Sequence, residues 1–266
     1  MPEQHLPPAL YVTWQDRASR KIFAVGRLVR LHDPAGAYEF AYVAGAREAE
    51  AAGFKPFVGF PSLSAVYRSR ELPPFFANRV MPTGRPDYAN FVQRLALAPD
   101  AAGPDEILAR SGGVRATDSV ELFAEPMRLA DGRWQAIFFV RSIGHVDGAE
   151  AVAGSLAVGQ RLFCMLDIQN EKNKRAVALR THDCRLVGFC PDYLTQDLDA
   201  RLLDDRDAEV TVLASNAPPA PVHYRVLTEL RFDAPAGAHP FRSPRLEPIP
   251  AGATSLDRDR EVSRVA

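Results

Sequence analysis

Lysine is scarce in this chain, with four residues in 266, and two of them, Lys172 and Lys174, stand two positions apart. Cysteine is as scarce: Cys164, Cys184 and Cys190 are an odd number with no CxxC pair, which fits reduced, buried thiols better than a disulfide framework. No apolar run reaches the length that crosses a bilayer, and the opening MPEQHLPPALYVTW lacks the basic segment and apolar run of a secretory signal, so no membrane association is expected and a cytoplasmic protein is. A formal net charge of −1 gives no global basic field. Any nucleic-acid binding must therefore come from a local patch.

The short signatures of catalysis are missing as well. There is no GxxxxGK[ST], GxGxxG, GxSxG or HExxH, and the glycines of RSGGVRATDS follow a helix pattern instead of opening one, so they cannot cradle phosphate. No cofactor or metal is expected, and the role expected is non-catalytic.

What is present is ample apolar material, 47 % of the chain, enough for two domains of ordinary size. Arginine far outnumbers lysine and alanine is abundant, the composition of a GC-rich bacterial genome. LYVTW, KIFAVGRLVRL and AYEFAYV alternate like strands, and GAREAEAAG follows as a short helix. ELPPFFANRVMP cannot be a central strand or a helix interior, because Pro73 and Pro74 remove donors. DYANFVQRLALAP behind an Asp87 cap and PDEILARSGG, with Pro104 in its first turn and Gly112 at its end, read as two successive helices. SVELFAEPMRL and WQAIFFVRSI then alternate across ADGR, predicting one hairpin from Val120 to Ile143.

The second half reads as a helix, GAEAVAGSLAVG; three strands, QRLFCMLDI, AVALR and RLVGFC; a helix begun by Pro191; and two more strands, EVTVLAS and VHYRVLTELRF. Five strands with brief helices suggest a small barrel or half-open sheet. Beyond Phe232 the chain is rich in Pro, Gly and charge, and is expected to be flexible. The fold class is α+β: an antiparallel sheet with short helices over 1–130, a small β-rich, barrel-like module over 131–234, and a Pro/Gly-rich tail over 235–266.

THDCRLVGFC gathers His182, Asp183, Cys184 and Cys190, which invites a zinc site or a Cys/His nucleophile. The alternation Leu186, Gly188, Cys190 instead makes Cys190 a small core hydrophobe, and Asp183 to Arg185 reads as a tight turn. An enzyme would need His182, Asp183 and Cys184 to converge in a pocket. QNEKNKR is the remaining concentration of chemistry, with Lys172, Lys174 and Arg175 able to meet phosphate and Asn170 and Asn173 able to donate and accept at short range. By charge alone it reads as a solvated turn before it reads as a contact.

The order LFCMLDI, QNEKNKRA, VALR and RLVGFCPDYLTQDL, within about 136–232, resembles the HIRAN domain, whose pattern is a strand ending in Arg-Glu, xxNPYDxNAI, a short strand and GxxIGYLPRELA. Asp167, Asn170, Ala176 and Val177 match its first half and Gly188, Phe189, Pro191 and Leu194 its second. The resemblance implies a small β-rich module that binds single-stranded DNA or DNA ends through the turn. It assigns Asn170, Lys172, Asn173, Lys174 and Arg175 to that contact, with His145 as a candidate stacking partner. Lys172 stands where the family has Tyr, Asn173 where it has Asp, and Asp192 where it has a basic residue, so backbone contact is implied more directly than recognition of a 3′ end.

Upstream, YVTWQDRASRKIFAVGRLVRL, GFPSL and PFFANRVMP resemble the N-terminal subdomain of HipA-type toxin kinases, carried by Phe75, Phe76, Asn78 and Pro82 and covering about 8–130; the kinase core is absent. That resemblance implies an alternative, a protein-interaction regulator of a toxin–antitoxin type system whose partner is a HipA-like kinase.

Overall fold

The computed structural model describes residues 8–31, 37–100, 102–171, 173–195, 208–233 and 240–249, and the backbone of 252–255. It is α+β and divides into two compact units, interleaved along the chain. One comprises Met1–Pro82, Pro104–Glu125 and Arg242–Ala266; the other comprises Thr83–Gly103 and Pro126–Phe241. No single cut near residue 130 separates them.

In the first unit the apolar alternations form β1 (Leu10–Gln15), β2 (Ile22–Arg30) and β3 (Tyr38–Tyr42), joined by β4 (Ala65–Ser69), β5 (Val120–Ala124) and a last strand, β13 (Gly252–Ser255). Their order is β13-β4-β3-β2-β1-β5, antiparallel throughout except that β13 runs parallel to β4. Phe40 lies at the centre of the core, with Tyr42, Phe60 and Phe76 around it at 5.0, 4.4 and 5.5 Å between ring centroids. The buried Tyr42 hydroxyl donates to the Phe60 carbonyl (2.8 Å) and accepts from the Phe57 amide (2.7 Å), pinning the irregular segment between them. α1 (Gly45–Ala51) packs on β2, and α2 (Pro74–Ala77) is entered through the two prolines, whose fixed φ suits a first turn. α4 (Pro104–Ser111) ends where Gly112 turns to φ +71°, the glycine stop that its sequence predicts.

Three expectations change here. The hairpin from Val120 to Ile143 does not exist as one element: β5 pairs with β1 in the first sheet, while β6 (Met127–Arg128) and β7 (Trp134–Phe139) pair with each other in the second. Pro126, which has no N–H to give a ladder, stands at the switch. The tail beyond residue 240 is packed over its described residues, with Phe241, Leu246 and Ile249 buried and the Ile249 amide bound to the Tyr42 carbonyl at 2.9 Å. Its apolar side chains are too widely spaced to show a period. Asp87 takes the N-cap position of α3 (Tyr88–Arg94) but makes no side-chain cap bond: its carboxylate is held by Arg85 (2.9 and 3.1 Å), which keeps it more acidic than usual.

The second unit holds α3, α5 (Ala149–Ser155) and a seven-stranded sheet completed by β8 (Arg161–Asp167), β9 (Ala176–Arg180), β10 (Leu186–Phe189), β11 (Glu209–Ser215) and β12 (Val226–Phe232). The order is β10-β9-β8-β11-β12-β7-β6, and every pairing is antiparallel. α3 joins this unit through the Asn216 side-chain amide, which donates to the Arg94 carbonyl (2.9 Å), and through Phe91, edge-on to Tyr224. Among the described residues no closed barrel forms. β10, at one end of the sheet, is nonetheless tied to the chain just past β7 by one isolated bridge. Arg141, two residues past β7, donates to the Phe189 carbonyl (2.8 Å), and Phe189 returns the bond to the Arg141 carbonyl (2.9 Å). Such close backbone approach leaves no room beside Gly188, where a Cβ would stand 2.4 Å from the Arg141 oxygen and 2.7 Å from Val140 Cγ1.

Gly188→Ala should therefore lose about 2–3 kcal/mol of unfolding free energy, since backbone and a branched side chain must both shift. Gly154→Ala in α5, where an added Cβ meets nothing within 4 Å, should gain about 0.5–1 kcal/mol by helix propensity. Urea unfolding of both variants checks the contrast.

Candidate nucleic-acid interface

β8 ends at Asp167, and the chain does not pass directly into β9: it closes a turn built on asparagine. The Asn170 amide donates to the Asp167 carbonyl (3.2 Å), and its side-chain amide to the Asp167 carboxylate (3.1 Å). Asn170 Oδ1 accepts from the Asn173 amide (3.1 Å), and Asn173 Oδ1 accepts in turn from the Arg175 amide (2.9 Å). The Ala176 amide closes the series on the Asn173 carbonyl (3.0 Å). Short polar side chains that mimic backbone partners are the ordinary means of holding such a loop. Asn170 and Asn173 are thus framework as well as candidate contacts.

The second oxygen-bearing partner comes from across the sheet. Cys190 extends β10 by donating to the Val177 carbonyl (2.8 Å), Pro191 breaks the strand, and residues 192–195 form a helical turn. This brings Asp192 to Asn173, whose Nδ2 donates to Asp192 Oδ1 at 2.9 Å. Asn173 and Asp192 are two of the three positions at which the chain departs from the HIRAN pattern, and they are bonded to each other. The pairing is invisible in either residue alone; its signal was that two departures of complementary chemistry occur together.

Lys174 and Arg175 are exposed at the end of this turn. Lys172 lies outside the described residues. His145 ends a short 3₁₀ turn, Ile143–His145, and is exposed, its amide donating to the Ser142 carbonyl. The side-chain hydrogen bonds described for the turn run within it and to Asp167 and Asp192, and none of them joins His145 to it.

His182, Asp183 and Cys184 do not converge. Asp183 takes Thr181 Oγ1 (2.5 Å) and Arg185 Nε (2.7 Å), and the Thr181 hydroxyl is the main reason its carboxyl is more acidic than usual. His182 lies edge-on to Phe163, and the Cys184 sulfur accepts from Arg180 (3.3 Å). Cys184 is exposed with φ +63°, contrary to the expectation of three buried thiols, because the tight turn leaves its side chain outside the sheet; Cys190 is buried as expected and Cys164 half-buried. Among the described residues no group of three or more His, Cys, Asp or Glu could hold a metal ion. No helix among them is long and apolar enough to cross a membrane.

The residues behind the HipA resemblance are structural. Phe76 is fully buried in the first core, Phe75 stacks on Phe57, and Asn78 terminates α2. Beside them the buried Arg79 guanidinium binds the Asp118 carboxylate (2.5 and 3.2 Å) and the Gly113 carbonyl (3.0 Å).

No family model and no curated protein matches the chain. Among solved structures it is similar to a protein from Lactobacillus plantarum, with TM-score 0.31, 17 % identity, 39 % of this chain and 100 % of that one covered. It is also similar to the HIRAN domain of human HLTF, with TM-score 0.29, 14 % identity, 38 % of this chain and 74 % of that one covered.

Removing the Asn173 side chain should free the Arg175 amide and release Asp192. Asn173→Ala is expected to speed amide exchange at Arg175 about tenfold and to cost about 1 kcal/mol in unfolding free energy. Asn173→Asp keeps the acceptor for Arg175 but faces Asp192 with like charge, and should recover the exchange protection only in part. Exchange measured by NMR on the three proteins tests the order.

Proposed function

We propose that this is a non-catalytic DNA-binding protein whose turn at Asn170–Arg175 contacts the phosphate backbone of single-stranded DNA or of DNA ends. The observation that carries the reading is the exposure of Lys174 and Arg175 on a turn whose backbone is already braced by Asn170 and Asn173. A pre-ordered loop loses little freedom when its cations meet phosphate, so more of the Coulomb attraction survives as affinity. Lys172 adds a third cation to the same segment by sequence.

The bonds of Asn173 shape what the turn recognises. Its carboxamide is engaged by the Arg175 amide and by Asp192, so the reading favours grip on backbone charge over selection of a terminal hydroxyl. Asp192 is exposed and its carboxylate stands next to the basic turn. It weakens the local positive potential, and so keeps binding modest and responsive to salt.

Fluorescence anisotropy with labelled single-stranded and duplex oligonucleotides tests this. The three cations of the turn should contribute about −2 to the log–log salt slope on a single strand, and that contribution should fall to about −0.7 in the Lys174→Ala, Arg175→Ala double variant. Asp192→Asn keeps the acceptor and removes the charge, and should tighten binding about two- to fivefold at low salt. Absence of saturable binding, or double-variant binding equal to wild type, would falsify the reading.

A further inference from the structure

We propose that the outer face of β8 and β9, centred on the Phe163 ring, is a second contact for single-stranded nucleic acid, at which a base stacks on Phe163 while Arg161 and Arg180 take neighbouring phosphates. The proposal rests on the nucleic-acid reading of the turn, and it explains a feature that the turn leaves unused.

Side chains alternate across a strand, so Arg161, Phe163 and Met165 share one face of β8 while Leu162 points to the core. Among the described residues that face is only partly covered: Phe163 is half-buried, and Met165 is 46 % exposed. Directly opposite Phe163 in the ladder stands Arg180 of β9. The Arg161 and Arg180 guanidinium groups lie 5.5 and 5.4 Å from the Phe163 ring centroid, and His182 meets the ring edge-on at 6.0 Å. The half-buried ring carries both guanidinium groups over it, so a base that takes their place on the π-face releases them toward neighbouring phosphates, the combination that single-strand binding uses.

The charges are available to such a ligand. The carboxylate that Arg161 approaches, Glu209, is 4.0 Å away with both side chains nearly half exposed, an ion pair of little strength. Among the described residues Arg180 donates only to neutral groups, the Thr181 carbonyl and the Cys184 sulfur, each at 3.3 Å. The acidic groups nearby are occupied: Asp167 by Asn170, and Asp183 by Thr181 and Arg185. Charge complementarity therefore favours an anionic chain with planar groups over an apolar protein segment. Geometry agrees, because β8 runs from this face straight into the turn. At ~3.3 Å per residue, Phe163 lies about 13 Å along the strand from Asp167, within the span of a few nucleotides.

The test compares the full chain and its variants on two labelled oligonucleotides, an oligo(dT) of about a dozen nucleotides, long enough for one such site, and one of equal length whose bases are replaced by abasic sites. Phe163→Ala should weaken oligo(dT) binding about tenfold, the value of one stacked base, and leave the abasic strand nearly unaffected. The Lys174→Ala, Arg175→Ala variant should weaken both strands alike. Phe163→Leu keeps the volume and removes the ring, so it should behave as Phe163→Ala does; Phe163→Trp should restore affinity and show tryptophan quenching on oligo(dT). If Phe163→Ala fails to fold by circular dichroism, the Leu and Trp variants decide. Wild-type affinity in the Ala or Leu variant, or equal loss on both strands, overturns this contact while leaving the turn's role intact. No binding by the wild-type chain removes both.

Discussion

The second unit depends on one pair of backbone hydrogen bonds, between Arg141 and Phe189, made where two strands that are far apart in the sheet order come within bonding distance. It fixes where the chain leaves β10 and where it leaves β7, on either side of the candidate site. Three residues beyond Phe189 stands Asp192, whose position lets it meet Asn173; four residues beyond Arg141 stands His145. Gly188 permits the approach because any side chain would collide with the Arg141 carbonyl. Without the bridge the sheet would be an open ladder with β10 as a loose edge, and an edge strand's unpaired donors are a liability that proteins normally cover.

The turn that follows β8 illustrates how polar residues divide their work. Asn170 and Asn173 spend their side chains on the chain itself, and that leaves the basic residues to face solvent. Bracing and contact are separate tasks on neighbouring positions, which is why a charged segment can be both ordered and accessible. The Asn173–Asp192 bond extends the bracing across the sheet, so the turn is held from two strands at once.

Much of the architecture was legible from alternation and breakers. β1, β2, β3, β8, β9, β10, β11 and β12 fall where apolar alternation places them, and α4 begins at Pro104 and stops at Gly112 as its residues require. Other features were not legible, for definite reasons. β4 was missed because AVYRS is short and lies between polar turns, offering too few residues for a period. The segment after Phe241 reads as unstructured because its buried residues, Phe241, Leu246 and Ile249, are separated by Pro, Arg and Glu; only a partner core gives them somewhere to go. The interleaving of the units was hidden for the same reason, since α3 carries no local mark of which core it joins.

For the candidate site the division is sharper. Local chemistry determined that the segment around residues 170–175 is a basic, asparagine-rich turn between two strands, because composition and alternation are properties of neighbouring residues. Only the tertiary structure decided that Asn173 would be bonded to Asp192, that Cys184 would face outward, and that the half-buried Phe163 ring would carry two guanidinium groups over it. Each of these depends on residues that are distant in sequence and made neighbours by strand register, and register is set by the packing of the whole sheet.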